Sequence, residues 1–179
     1  MLRGWGATAL LKDVAHVVCV RITAPEEARL KTLRKKFPKA SAEVLRQEMV
    51  LFDEAHAAIM QRHFGVDYRD DAGYHLTVDS STTPVTKCVA RIVALAHDAR
   101  FEETEASRKK LASLMTEAHV KALLKLHPPT RNLAIEVAAE GRCVRLAGQV
   151  ASDDLKARCE LVAWRVPGIE DVQNTLAVA

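Results

Sequence analysis

Hydrophobic positions first gather in a near-continuous run from Val14 through Val17, Val18, Cys19, Val20 and Ile22 to Pro25. Such a run marks a strand covered on both faces, as in the parallel sheet of an α/β fold, and we read it as a central strand. Pro25 followed by Glu26 and Glu27 opens a helix, with proline at the first position and acids at the positive end of the dipole. That helix carries Arg29, Lys31, Arg34, Lys35 and Lys36 before Pro38 stops it. A basic helix thus follows the carboxyl end of a strand, where α/β folds place ligands. Ser41 caps a longer helix running through Leu45, Met49, Phe52, His56, Ile59 or Met60, and His63, and Gly65 supplies its C-cap. A polar turn then leads to alternating Tyr74, Leu76 and Val78, the pattern of a strand with one apolar side. Thr83-Pro84 starts a further helix, with Val85, Cys88, Val89, Ile92, Val93 and Ala96 on one stripe.

The acidic and polar stretch from Asp98 to Ser107 separates two units, 1–103 and 104–179. Beyond it, Leu111, Leu114, Met115, Ala118, Ala122 and Leu126 form a core stripe on a helix that His127-Pro128-Pro129 ends. The period then falls to two. Leu133, Ile135 and Val137 mark one strand, Glu140-Gly141-Arg142 a hairpin turn, and Val144, Leu146 and Gly148 to Val150 its partner. Ser152 with Asp153 and Asp154 caps a helix bearing Leu155, Cys159, Leu161, Val162 and Trp164. Pro167-Gly168 turns the chain into a last strand that runs to Val178. The expected architecture is α/β, mainly helical with a partial sheet, followed by a small α+β domain of order αββαβ. Three glycines carry its turns: Gly141 in a left-handed hairpin position, Gly148 where the strand twists or bulges, and Gly168 between helix and strand.

Composition narrows the function. At 179 residues and 49% hydrophobic, the chain has ample material for a core. A net charge of +3 and 4% aromatic residues supply neither a polyanion-binding field nor a stacking platform, so nucleic acid is not an expected partner. Four separated cysteines, Cys19, Cys88, Cys143 and Cys159, read as buried thiols of a reducing compartment. With no signal-like N-terminus and no apolar stretch of membrane length, the expected location is the cytoplasm. No metal site is expected: the histidines lack ligand spacing, and Asp67, Asp70, Asp71 and Asp79 read as turn acids. Ser80 to Thr83 read as turn and cap, without a paired base.

The second unit resembles a BON domain, a bacterial module found in osmotically induced and phospholipid-associated proteins. The match rests on Ile135-Glu136-Val137 leading to Gly141, on Val144-Arg145-Leu146-Ala147-Gly148-Gln149-Val150, and on Val166-Pro167-Gly168-Ile169-Glu170-Asp171-Val172-Gln173-Asn174. The resemblance implies a binding module without catalytic residues, with a phospholipid or small ligand as its partner. The first unit resembles the lid and final-strand part of a cytidylate kinase-like protein of the nucleoside monophosphate kinase group. The residues are Gly4-Trp5-Gly6-Ala7, Leu10-Leu11-Lys12-Asp13-Val14, Arg21-Ile22-Thr23-Ala24-Pro25, Glu27-Ala28-Arg29-Leu30, His63-Phe64-Gly65-Val66-Asp67 and the strand from Tyr74 to Asp79. This implies a partial P-loop kinase-like sheet, with Arg21, Arg29, Arg34, Lys35 and Lys36 as candidate phosphate or nucleotide contacts.

Departures from that family shape the expected activity. The residues given hold no GxxxxGK[ST] loop to cradle phosphates. Asp53 is followed by His56 where the family carries an arginine, and Trp5 stands where it carries another between glycines. Phosphoryl transfer depends on positioned positive charge, so the leading expectation is a non-catalytic binding or regulatory protein with no catalytic residue and no cofactor. The alternative is the tail of a longer, active kinase that uses ATP and Mg²⁺. A second alternative is a phospholipid-associated protein acting through the BON unit. Half of a parallel sheet exposes a strand edge, so a homodimer, or another protein covering that edge, is the expected partner.

Overall fold

In the computed structural model, which describes residues 1–179, the chain divides into Met1–Glu103 and Thr104–Ala179. The first unit runs α1 (Ala7–Leu11), β1 (Val20–Thr23), α2 (Glu26–Lys36), α3 (Ala42–Phe64), β2 (Leu76–Asp79) and α4 (Val85–Ala96). Cap chemistry sets its helix ends. The Ser41 hydroxyl accepts from the amide of Val44 at the start of α3, and Gly65 closes the helix with its amide donating to Gln61. Pro25 takes the cap position ahead of α2, one residue before the first helical site expected for it, with Glu26 and Glu27 in the first turn. Of the two alternatives along α3, Met60 is buried and Ile59 is exposed.

The strands β1 and β2 pair in parallel, from Val20 opposite Leu76 to Thr23 opposite Asp79. Two expectations change here. The apolar run from Val14 is mostly not strand, because β2 offers only four residues to pair with. Val14 and Cys19 are nonetheless buried. Nor is β1 covered on both faces, since Ile22 is 61% exposed while its cross-strand partner Val78 is 1% exposed. An imidazole extends the ladder past the strands: the Cys19 amide donates to His75 Nδ1 at 2.9 Å, and the His75 amide donates to the Cys19 carbonyl.

The second unit runs α5 (Glu105–Leu126), β3 (Ile135–Glu140), β4 (Cys143–Val150), α6 (Asp153–Ala163), β5 (Asp171–Asn174) and β6 (Ala177–Val178). Its order is the expected one, with the last strand split in two. Central β4 pairs antiparallel with β3 and parallel with β5 and β6. Thr175, at the interruption, still donates its amide and hydroxyl to the Leu146 carbonyl. Val120, Leu124, Val137, Val144, Leu146, Val150, Cys159, Val162, Ala163, Val166 and Leu176 close into one core.

The buried face of α5 differs from the expected stripe. Ser113, Val120 and Leu124 are buried, while Met115, Ala118, Ala122 and Leu126 are exposed. The reason is polar. At the hairpin end of β3 the amides of Ala139 and Gly141 have no strand partner on that side, and Glu117 Oε1 and Ser113 Oγ accept from them at 3.0 and 3.1 Å. Buried amides need acceptors, and the helix turns the side chains that supply them inward. No helix of the chain is long and apolar enough to cross a membrane.

Candidate functional site

The five cations singled out in the first unit lie on β1 and α2. Arg29 sits in the second turn of α2 on the side facing α3. It grips Asp53 with both guanidinium nitrogens, Nη1 to Oδ2 at 2.6 Å and Nη2 to Oδ1 at 2.7 Å. This fork geometry is the strong form of a charge-assisted bond. The hydrogen bond from Arg29 holds the Asp53 carboxyl below its ordinary value against the opposing effect of burial, and the charges of Arg69 and His56 act in the same direction as the bond. A second tie between the helices comes from Arg46, which meets Glu26 at 3.2 Å and Glu27 at 3.1 Å.

Arg21, on β1, points to the polar turn ahead of β2. Its Nη1 donates to the Arg69 carbonyl at 2.7 Å and to Asp71 Oδ1 at 2.9 Å. Thr77 donates to the same Asp71 oxygen. The turn is therefore organised around an arginine, with Asp70 capping it through the Ala72 amide.

Phe52 and His56, which flank Asp53 along α3, belong to a cluster of rings. His56 lies 4.3 Å from Trp5 and 4.1 Å from Phe52 between ring centroids, and Trp5 meets Tyr68 edge-on at 4.8 Å. His56 Nδ1 is 2.8 Å from the Phe52 carbonyl, one turn back on α3. The two positions that depart from the kinase pattern, Trp5 and His56, thus stack on each other. Arg69 lies over Tyr68.

The remaining cations go elsewhere. Arg34 and Lys35 line a shallow hollow of about 340 Å³ along α2 with Glu27, Leu30 and Lys31. Lys36 lies over the ring of Phe37 at the helix end, where last-turn cations also suit the dipole. The five do not converge on one point. Sequence reasoning named the cations and missed their acceptors: Asp53 and Asp71 stand 24 and 50 residues away from Arg29 and Arg21.

In the second unit the three glycines take positive φ, 59° at Gly141, 129° at Gly148 and 89° at Gly168. Gly141 opens the two-residue loop between Glu140 and Cys143, which face each other across the hairpin. At Gly148 a Cβ would stand 2.8 Å from the Ala134 carbonyl oxygen, so the strand can pass there only without a side chain. The Gly168 carbonyl accepts from Arg142 Nε, and Arg142 also pairs with Glu170. Asn174, at the end of β5, donates to the Lys156 carbonyl and to Glu160 on α6.

The chain thus holds two modules: a small α/β unit whose Arg21 and Arg29 are paired with carboxylates of the same unit, and an αββαβ unit closed around one core. Comparison with known families makes both modules specific. Residues 1–82 match the cytidylate kinase-like family and residues 115–179 match the BON domain, so the chain joins a cytidylate kinase-like segment to a BON domain. No curated protein matches the chain.

Proposed function

We propose that the protein is a non-catalytic binding or regulatory module, in which the cytidylate kinase-like unit serves as scaffold and the BON domain takes the ligand. The observation that carries this reading is the pairing of Arg21 with Asp71 and of Arg29 with Asp53. A phosphoryl-transfer site works by unspent positive charge aimed at the developing negative charge of the phosphate, and here both arginines spend theirs on carboxylates of the same unit. The rings of Trp5, Phe52 and His56 pack on one another, His56 standing where the kinase pattern carries an arginine. Four free thiols, three of them buried, fit a reducing compartment such as the cytoplasm. Coupled turnover of ATP with CMP tests the reading. No turnover above the buffer rate is expected, and measurable CMP-dependent release of ADP sinks it in favour of the kinase alternative.

The exposed stripe of α5 favours a second reading, a phospholipid-associated protein. Met115 and Leu126 stand open to solvent on a helix that also carries Lys110 and Lys121, a pairing of apolar and basic groups suited to an anionic lipid surface. Co-sedimentation with vesicles of anionic phospholipid is the measurement, and equal recovery with neutral vesicles or none removes this reading.

A further inference from the structure

Helix α4 divides its apolar residues between two sides. Cys88 is buried and Ile92 and Leu95 are half-buried against the rest of the unit, whereas Val85, Val89 and Val93 are 76%, 52% and 48% exposed. The three valines recur every fourth residue, so they form one ridge along the 12-residue helix. Ala96 is exposed with them, and the exposed His97 follows at the end of the ridge. The only charged residues of α4, Lys87 and Arg91, lie off this ridge on the far flank. The result is an open apolar face about 18 Å long that carries no charge. It lies in residues 83–114, the stretch that neither family match covers.

We propose that this face of α4 is a two-fold contact with a second copy of the chain. Charge decides the occupant. A two-fold contact sets each residue close to its own counterpart, so any ionic group near the axis meets its like. From Val85 to Ala96 the α4 ridge has none, since Lys87 and Arg91 lie on the opposite flank. The open stripe of α5 is the opposite case, with Lys110, Lys121 and His119 on its helix. A nucleic acid or a charged peptide would find nothing on the α4 ridge to pair with. This surface also differs from the exposed strand edge of the small sheet, where the sequence pattern located self-association. One helix per copy buries less than the roughly 800 Å² per partner of a standard interface, so the contact is weak and depends on concentration.

Sedimentation velocity of the full chain over a micromolar to submillimolar series tests it. The wild type is expected to shift from monomer to dimer across the series. Val89→Glu is expected to weaken that association about tenfold or more, because pairing would bury two like charges, and far-UV dichroism checks that this solvent-facing substitution leaves the fold intact. Met115→Glu makes an equivalent change on α5 and should leave association unchanged. Val89→Glu mixed with Val89→Lys should recover what each variant alone has lost. A wild type that stays monomeric throughout, a Val89→Glu variant that associates like the wild type, or loss of association in Met115→Glu instead overturns the proposal.

Discussion

The two units solve the same problem, covering a small sheet with helices, to different degrees. In the second unit four strands and two helices enclose one continuous core, and Val144, Leu146 and Cys159 are fully out of solvent. In the first unit two strands of four residues carry four helices, and apolar side chains remain open on both long helices that flank the sheet: Val50, Leu51, Phe52 and Ile59 on α3, Val85, Val89 and Val93 on α4. Beside its smaller apolar core, polar ties join the elements of the first unit: the Arg29–Asp53 fork, the Arg46 bridge to α2, Arg21 in its turn, and His75 extending the ladder. Arg21, Arg29 and Arg46 there are each paired with a carboxylate of the same unit.

Trp5 and Trp164 place one reporter in each unit, so the comparison can be broken directly. Urea unfolding followed through Trp164→Phe and Trp5→Phe variants should give two midpoints, the Trp5 transition at lower denaturant. Coincident transitions would mean that the units share one cooperative unfolding. The largest single effect belongs to Gly148→Ala. The new Cβ meets backbone oxygen at 2.8 Å and the residue must hold φ 129°, which together should cost about 2–4 kcal/mol in the Trp164 transition. Gly141→Ala, at φ 59° in the left-handed well that other residues can enter and with open space around it, should cost only about 1 kcal/mol. Equal losses at the two sites would show that steric contact at Ala134 is relieved by movement of the chain.

A middle-sized effect is expected at Asn174, whose amide joins the end of β5 to Lys156 and Glu160 on α6 while its carbonyl accepts from the Leu176 amide. Asn174→Ala should cost about 1–2 kcal/mol. Asn174→Asp should be worse at neutral pH, because it sets a second carboxylate against Glu160, and the gap between the two variants should close in acid. If the aspartate variant is the more stable at neutral pH, the Glu160 contact is not part of what Asn174 does.

Much of this was legible in the sequence where the cause is local. Ser41 and Gly65 bound α3 because a cap needs only its own turn of helix, and Gly141 and Gly148 are readable because few other residues tolerate those backbone angles. The active face of α5 was not legible. Its apolar stripe is genuine, yet the core side was chosen by two hairpin amides more than 20 residues away that need Ser113 and Glu117. The run from Val14 misled for a similar reason: its composition suits a covered strand, but strand length is set by the partner, and β2 is short. At the candidate site, side-chain type announced the cations, while the pairing of Arg21 and Arg29 depends on acids brought in by the fold.

The smallest expected effect tests that pairing. Asp53 titrates below its ordinary value in the folded chain, chiefly through the bond from Arg29, so between the two values the unfolded chain binds the proton more readily. Its contribution to stability is therefore present above the ordinary carboxylate value of about 3.9 and is lost as pH falls from there through the folded value. Asp98, held at about 2 by the Arg100 side chain and backbone amide, follows the same sign in the same window but is left intact by a change at position 53. Asp53→Asn keeps the shape and removes the charge. Because the two side chains are still 36% and 26% exposed, water screens the pair and the expected cost at neutral pH is about 1 kcal/mol in the Trp5 transition. The deficit should shrink as the pH falls below the ordinary carboxylate value and through the lower folded value, where the wild-type carboxylate also takes up its proton. A deficit that persists unchanged in acid would assign the role of Asp53 to packing and geometry, and would leave the Arg29 charge less committed to the fold than its two short hydrogen bonds indicate.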